Sequence, residues 1–250
     1  MAQSSNWLGR PAVAVDNSTG RGAYVLVCDH ASNWVPPALR NLDLPDAQLQ
    51  RHIAWDPGAL ALARRLARLL DAPLVHATVS RLVLDVNRDP GHPGSIVERS
   101  EDTAIAANCG IGAPERARRV SAVYEPYHHA LSEVVTRQAA LHPDLHVIAV
   151  HSFTPVYRGQ QRPWHIGILS AGDRRMAQPL LDLLREPGDL VVGDNQPYAP
   201  TDGVYHTLDR HCTADNLRSV MIELRADLIE TDESRTRWAD RLARALRAAG

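Results

Sequence analysis

A chain of 250 residues, 44% of them hydrophobic, has enough apolar mass for one large α/β core or two small ones. Its net charge is −2 with histidines neutral, so it offers no basic face to a nucleic acid. All 27 basic residues are arginine, which excludes a P-loop lysine, a Schiff-base lysine and a pyridoxal-phosphate anchor.

Residues 1–22 are polar and Gly/Ser-rich and read as a loop-like leader, and one domain is expected over 23–250. The continuous apolar run at 23–28 predicts a buried strand. Apolar residues at helical spacing over 57–70 predict a helix with Arg64, Arg65 and Arg68 on its outer side. Strands are expected at 73–79 and 81–86, and a long helix over 114–141, entered through Pro114. Further strands are expected at 145–150, 164–169, 189–192 and 219–224. Helices are expected over 174–185 and 234–249. Apolar strands alternating with helices predict a mostly parallel mixed sheet covered by helices on both faces. Two polar, Gly/Pro-rich stretches, 87–112 and 194–217, are long enough to read as functional loops, and 155–163 is a shorter one.

No apolar run approaches the roughly 18 residues of a membrane span, and the N-terminus lacks the pattern of a signal peptide, so no membrane partner is expected. The three cysteines, Cys28, Cys109 and Cys212, are widely spaced with no CxxC. That excludes a disulfide framework and suits a reducing cytoplasm.

Ligands of open α/β sheets bind beyond the carboxyl ends of the strands. Asp29-His30 follows the first buried strand and His151-Ser152 the strand at 145–150. Two neutral imidazoles and one carboxylate make a zinc site with a position left for water, although a hydrogen-bonded structural histidine is an equally ordinary occupant of a strand end. Asp56, before Pro57-Gly58, is either the carboxylate ligand or a helix N-cap. Asp29 could point to the other side, and Asn33 is a poor ligand for Zn2+. Glu223, inside the apolar run VMIEL, is a buried carboxyl suited to a general base or paired with Arg225. The Asn87-Arg88 pair suits a substrate carboxylate, which the guanidinium fork matches in bidentate fashion. Arg158 and Arg162 in the 155–163 loop are further candidates, balanced against a solvated surface role.

The segments VCDHASNWVP, HIAWDPGA, SRLVLDVNRDP, VHSFTPVYRG, RPWHIGIL and IELR, in this order, resemble the N-formylglutamate amidohydrolase family over about residues 24–225. The resemblance implies a zinc-carboxypeptidase-like fold and hydrolysis of an N-formyl amino acid such as N-formyl-glutamate to formate and the free amino acid. It further implies Zn2+ or another divalent metal on His30 and His151, Glu223 as general base, and Asn87-Arg88 on the substrate carboxylate. The acidic ligand of the wider superfamily is replaced here by Asn33, and the third ligand is placed on Asp56. The alternatives are a metal-dependent carboxypeptidase or deacylase acting on another carboxylate-bearing amide, or a non-catalytic binder of an acidic metabolite. A serine or cysteine hydrolase is disfavoured, because there is no G-x-S-x-G elbow and Cys28 lies within an apolar strand. The sequence leaves open the oligomeric state and the roles of His128, His129, Tyr205, His206 and His211.

Overall fold

The computed structural model describes residues 7–250. In chain order the elements are β1 (Val13–Asp16), β2 (Tyr24–Cys28), α1 (Asp46–Leu49), α2 (Ala59–Leu69), β3 (Leu74–Ala77), β4 (Arg99–Ser100), β5 (Thr103–Ala104), α3 (Ala113–Arg119) and α4 (Glu125–Leu141). There follow β6 (His146–Phe153), β7 (Val156–Tyr157), β8 (Gln160–Gln161), β9 (Ile166–Leu169), α5 (Ala177–Arg185), β10 (Val192–Asp194), α6 (His206–Cys212), β11 (Arg218–Arg225) and α7 (Asp232–Ala249).

A seven-stranded sheet among the described residues runs β1-β3-β2-β6-β11-β9-β10. Its centre, β3-β2-β6-β11, is parallel, whereas β1 and β9 pair antiparallel to their inner neighbours. The fold is therefore the single-domain mixed α/β sheet expected from the alternation of elements. The two faces bury separate apolar clusters. Alternate residues Val25, Val27, Val147, Ala149 and Met221 pack with α4, α6 and the 79–111 segment. Leu26, Cys28, Ile148, Val150, Val220 and Ile222 pack with α2, α5 and α7. This period-two division is what a two-sided sheet requires of its strands.

Three expectations are corrected. The first concerns the leader. Val13–Asp16 pairs with Leu74–Ala77 and forms an edge strand, so the part of 1–22 within the described residues is not all loop. The second concerns residues 81–86, which are not a strand despite being apolar and buried. Their backbone groups are satisfied locally and by side chains: Val83 N–H donates to Ser80 O, Asn108 Nδ2 donates to Leu82 O, and Arg119 donates to Val83 O. Polar side chains here replace a ladder, which apolar content alone does not reveal. The third concerns 194–217, which contains helix α6 rather than loop throughout.

Other elements shift only at their ends. The long helix begins as α3, passes through one π-type turn at Val120–Tyr124 and continues as α4. Strands β6 and β11 run eight residues each and pair along their whole length, from Arg218↔His146 to Arg225↔Phe153. His151 thus lies inside its strand, directly opposite Glu223.

Candidate active site

Adjacent parallel strands deliver the central groups to one edge of the sheet. His151 and Glu223 are register partners on β6 and β11. Asp29 and His30 follow β2 immediately, and Asp56 leads into α2. Asp56 N–H donates to the His30 carbonyl at 2.9 Å, tying the turn before α2 to the end of β2. The Asp56 side chain does not cap α2, whose N-cap is Gly58. Instead Asp56 Oδ2 lies 2.8 Å from His151 Nδ1 and 3.4 Å from His30 Nδ1. Of the two sequence readings of Asp56, the helix cap is thus excluded. Asn33 donates to Leu49 O and stands outside this group.

The far nitrogen of each imidazole meets a second carboxylate. His30 Nε2 lies 2.7 Å from Asp85 Oδ1, and His151 Nε2 lies 3.0 Å from Asp29 Oδ2. Asp85 is fixed by Arg81 at 2.7 Å and by Asn87 N–H at 3.0 Å. Asp29 accepts from Tyr127 Oη and Thr207 Oγ1, both at 2.7 Å. With Nε2–H donated to a carboxylate, each Nδ1 turns its lone pair towards Asp56 Oδ2. Arg81 Nη1 lies 3.2 Å from His30 Nδ1, but His151 Nδ1 and Asp56 Oδ2 meet with no such donor and call for a proton or a cation between them. Burial opposes charge on His151, but Asp29 and Asp56 outweigh it and hold its pKa well above the usual value. His30 is raised too, because Asp85 and Asp56 overcome both its burial and the field of Arg81. Asp56 is lowered by the two histidines despite its burial.

These atoms fit a divalent cation. His30, Asp56 and His151 offer ligand atoms within 4.8 Å of one another, and all three residues are buried. With both imidazoles neutral, as metal ligation requires, the four buried acids Asp29, Asp56, Asp85 and Glu223 outnumber the two guanidinium groups of Arg81 and Arg88, which leaves room for positive charge. Carboxylates behind metal-binding imidazoles fix the tautomer and raise ligand basicity.

Glu223 Oε2 is buried and makes no hydrogen bond. Burial raises its pKa to about 7, an effect that His151 opposes and Asp56 reinforces. No salt bridge joins it to Arg225, which pairs with Asp227 instead.

A cavity of about 300 Å3 opens over this group. His30, Asp56, Arg81, Asp85, Asn87, Arg88, His151, Tyr198 and Glu223 are among its lining residues. Arg88 is anchored by Asp202 O at 3.0 Å, and Gly203 leaves it room, since a Cβ there would come within 2.7 Å of Nη1. Asn87 is a clamp: Nδ2 donates to Val204 O, and Oδ1 accepts from Thr207 N–H. The two other sequence candidates do not line the cavity. Arg158 is exposed at the tip of the β7–β8 hairpin, and Arg162 lies behind the cavity wall.

Reading the sequence missed Arg81, Asp85, Tyr127, Thr207 and Tyr198. Asp85 carried a signal, a lone acid in the apolar run LVLDV, the same pattern that marks Glu223. Tyr127 and Thr207 lie 98 and 178 residues from Asp29 and carried none. Among the histidines left open, His128 Nε2 donates to Val86 O and its Nδ1 lies 2.8 Å from His211 Nε2. His206 pairs with Tyr124 Oη at 2.7 Å. His129 is exposed, and Tyr205 lines a separate cavity against β11.

Acids and histidines thus line a cavity at the carboxyl edge of a mixed α/β sheet, a usual place for a ligand site, and the comparisons with known proteins supply the family. The chain belongs to the N-formylglutamate amidohydrolase family, whose model matches residues 22–230. Membership makes it a hydrolase acting on an amide, with a small-molecule substrate. The crystal structure of a gene product from Agrobacterium tumefaciens is similar, with 42% identity, a TM-score of 0.93, and coverage of 96% of this chain and 95% of that one. An N-formylglutamate amidohydrolase from Ralstonia eutropha JMP134 shares the fold at 19% identity, with a TM-score of 0.70 over 96% of this chain and 97% of that one. No curated protein matches the chain. Among the described residues, no helix is long and apolar enough to cross a membrane.

Proposed function

We propose that this chain hydrolyses an N-formyl amino acid, such as N-formyl-L-glutamate, to formate and the free amino acid, with Zn2+ or another divalent ion held by His30, Asp56 and His151. The observation that carries the reading is the buried Glu223 carboxyl, whose Oε2 has no hydrogen-bond partner among the described residues, register-paired with His151 in a cavity that His30 and Asp56 also line. When bound, the ion supplies Lewis acidity, polarising the amide carbonyl and lowering the pKa of water.

The chain's own residues perform the rest. Arg88 receives the substrate carboxylate in its guanidinium fork and so orients the amide over the group, an effect that works through entropy and geometry. Arg81, whose Nη1 lies 3.2 Å from His30 Nδ1 and 3.8 Å from Asp56 Oδ1, is placed to meet negative charge developing on the carbonyl oxygen. Glu223 Oε2 accepts a proton from the attacking water as its oxygen bonds to the formyl carbon. It then gives that proton to the amine nitrogen as the C–N bond breaks. Burial raises the proton affinity of this carboxyl above that of an exposed glutamate, which suits it to both transfers. Asp29 and Asp85 hold the imidazoles in the tautomer that presents Nδ1 to the ion.

The test is formate release from N-formyl-L-glutamate by the full chain, before and after chelation and after Zn2+ is restored. A panel including N-acetyl-aspartate and a dipeptide is run alongside. Loss to the chelator and recovery with Zn2+, greatest for the formyl substrate, is the expected result. Turnover of another panel member alone would move the assignment to a deacylase or carboxypeptidase. Ligand binding without turnover or metal would make the chain a binder.

A further inference from the structure

Phe153, Tyr157 and Tyr198 line the cavity, and they come from three segments: β6, the β7–β8 hairpin, and the stretch between β10 and α6. One side chain touches all three. The Arg162 guanidinium carbon lies 5.7 Å from the Phe153 ring centroid, 4.6 Å from that of Tyr157 and 4.7 Å from that of Tyr198. Its Nη1 also donates to Tyr198 Oη at 2.9 Å. Arg162 is itself half-buried and does not line the cavity. No carboxylate pairs with it among the described residues, so the protein partners of its charge are aromatic rings and one phenol.

We propose that Arg162 is a positioning residue that fixes this aromatic wall and thereby sets how the substrate's amino-acid part is held; this rests on the amidohydrolase reading above. Phe153 lies two residues beyond His151 on the same strand, so the wall begins beside the candidate metal group. Tyr157 and Tyr198 are carried by connecting segments, which are more mobile than the sheet unless tied down. The Tyr198 segment is pressed on β9, where a Cβ on Gly167 would come within 1.9 Å of Gln196 O. Its outer end and the hairpin meet at Arg162. A planar guanidinium serves three rings at once and still donates in its own plane, whereas an ammonium has no planar face. By accepting from Arg162, the Tyr198 hydroxyl keeps its own proton free to donate.

The test compares Arg162→Met and Arg162→Lys with the parent chain by hydrogen–deuterium exchange and by kinetics on N-formyl-L-glutamate and N-formyl-L-aspartate. In Arg162→Met, amide exchange over 154–163 and 195–203 is expected to quicken together, with β6 and β11 unchanged. KM for the glutamate substrate is expected to rise about tenfold, with kcat changed less than about threefold. Preference between the two substrates is expected to narrow. Arg162→Lys is expected to follow Arg162→Met, because charge without the planar fork does not hold three rings. Unchanged exchange in either segment, or a fall in kcat at constant KM, would overturn the proposal. If Arg162→Met does not fold, Tyr198→Phe, which removes only the phenol partner, is expected to quicken the same two segments by a smaller amount. Quickened exchange in a chain whose parent is inert towards both substrates would uphold the clamp and overturn the assigned activity.

Discussion

Two buried histidine groups lie on the same face of the sheet and answer burial in opposite ways. His30 and His151 face three carboxylates, Asp29, Asp56 and Asp85, and their pKa values are raised. His128 and His211 face each other and a backbone carbonyl. Burial lowers them to about 3 and about 4. The two groups are neighbours in the chain as well. Tyr127 donates to Asp29, while the adjacent His128 belongs to the second group. Burial is common to both, so the partners decide: carboxylates favour positive charge on the first pair, and neutral partners keep the second pair uncharged.

The sharpest break of this contrast is His151→Ala. It is expected to abolish stoichiometric metal binding, measured by elemental analysis, and turnover with it. Retained metal would place the ion elsewhere. Next comes Glu223→Gln, expected to cost roughly a thousandfold in kcat while metal content stays intact. Equal activity would sink the base assignment. In the parent chain, kcat/KM should rise with pH, because Glu223 must lose its proton to act. The limb belongs at or below about pH 7, the value set by burial without a cation, which would lower it further.

Smaller effects come from the supporting carboxylates. Asp29→Asn and Asp85→Asn should each weaken metal affinity by roughly 10- to 100-fold, as read by competition with a chelating dye. No change would mean that the imidazoles need no support from behind. The smallest effect concerns the second group. His128 and His211 have folded pKa values below the unfolded value of about 6.5, so above that pH neither state binds an extra proton. Below it the unfolded chain takes up protons first, and stability falls as pH drops towards the folded values. His211→Gln should flatten this decline in a series of melts between pH 7 and pH 4, with metal content unchanged. A metal loss in that variant would erase the distinction between the two groups.

The main strands and helices were legible because β2 is an unbroken apolar run, β6 and β11 have apolar centres, and α2, α5 and α7 are amphipathic. The strand expected at 81–86 failed because an apolar run reports burial rather than pairing, and Asn108 and Arg119 satisfy its backbone instead. In the site, His30, His151, Glu223, Asp56 and Arg88 were visible as polar residues at the ends of strands or in buried runs. Arg162 was visible as a charge in a loop, but its role was not, since that depends on rings from three segments. Asp29 shows the same limit. Its neighbour His30 drew attention to it, whereas its partners Tyr127, His151 and Thr207 are brought to it only by folding.

The proposed function depends on a single divalent-cation site formed by His30, Asp56 and His151. Calorimetric titration of Zn2+ into the chelator-treated full chain tests it most directly, with Asp56→Ala run alongside. The parent is expected to bind one ion per chain, and the variant to bind it at least about tenfold more weakly. Saturation at one ion with equal affinity in both proteins, or no binding by the parent, would contradict it.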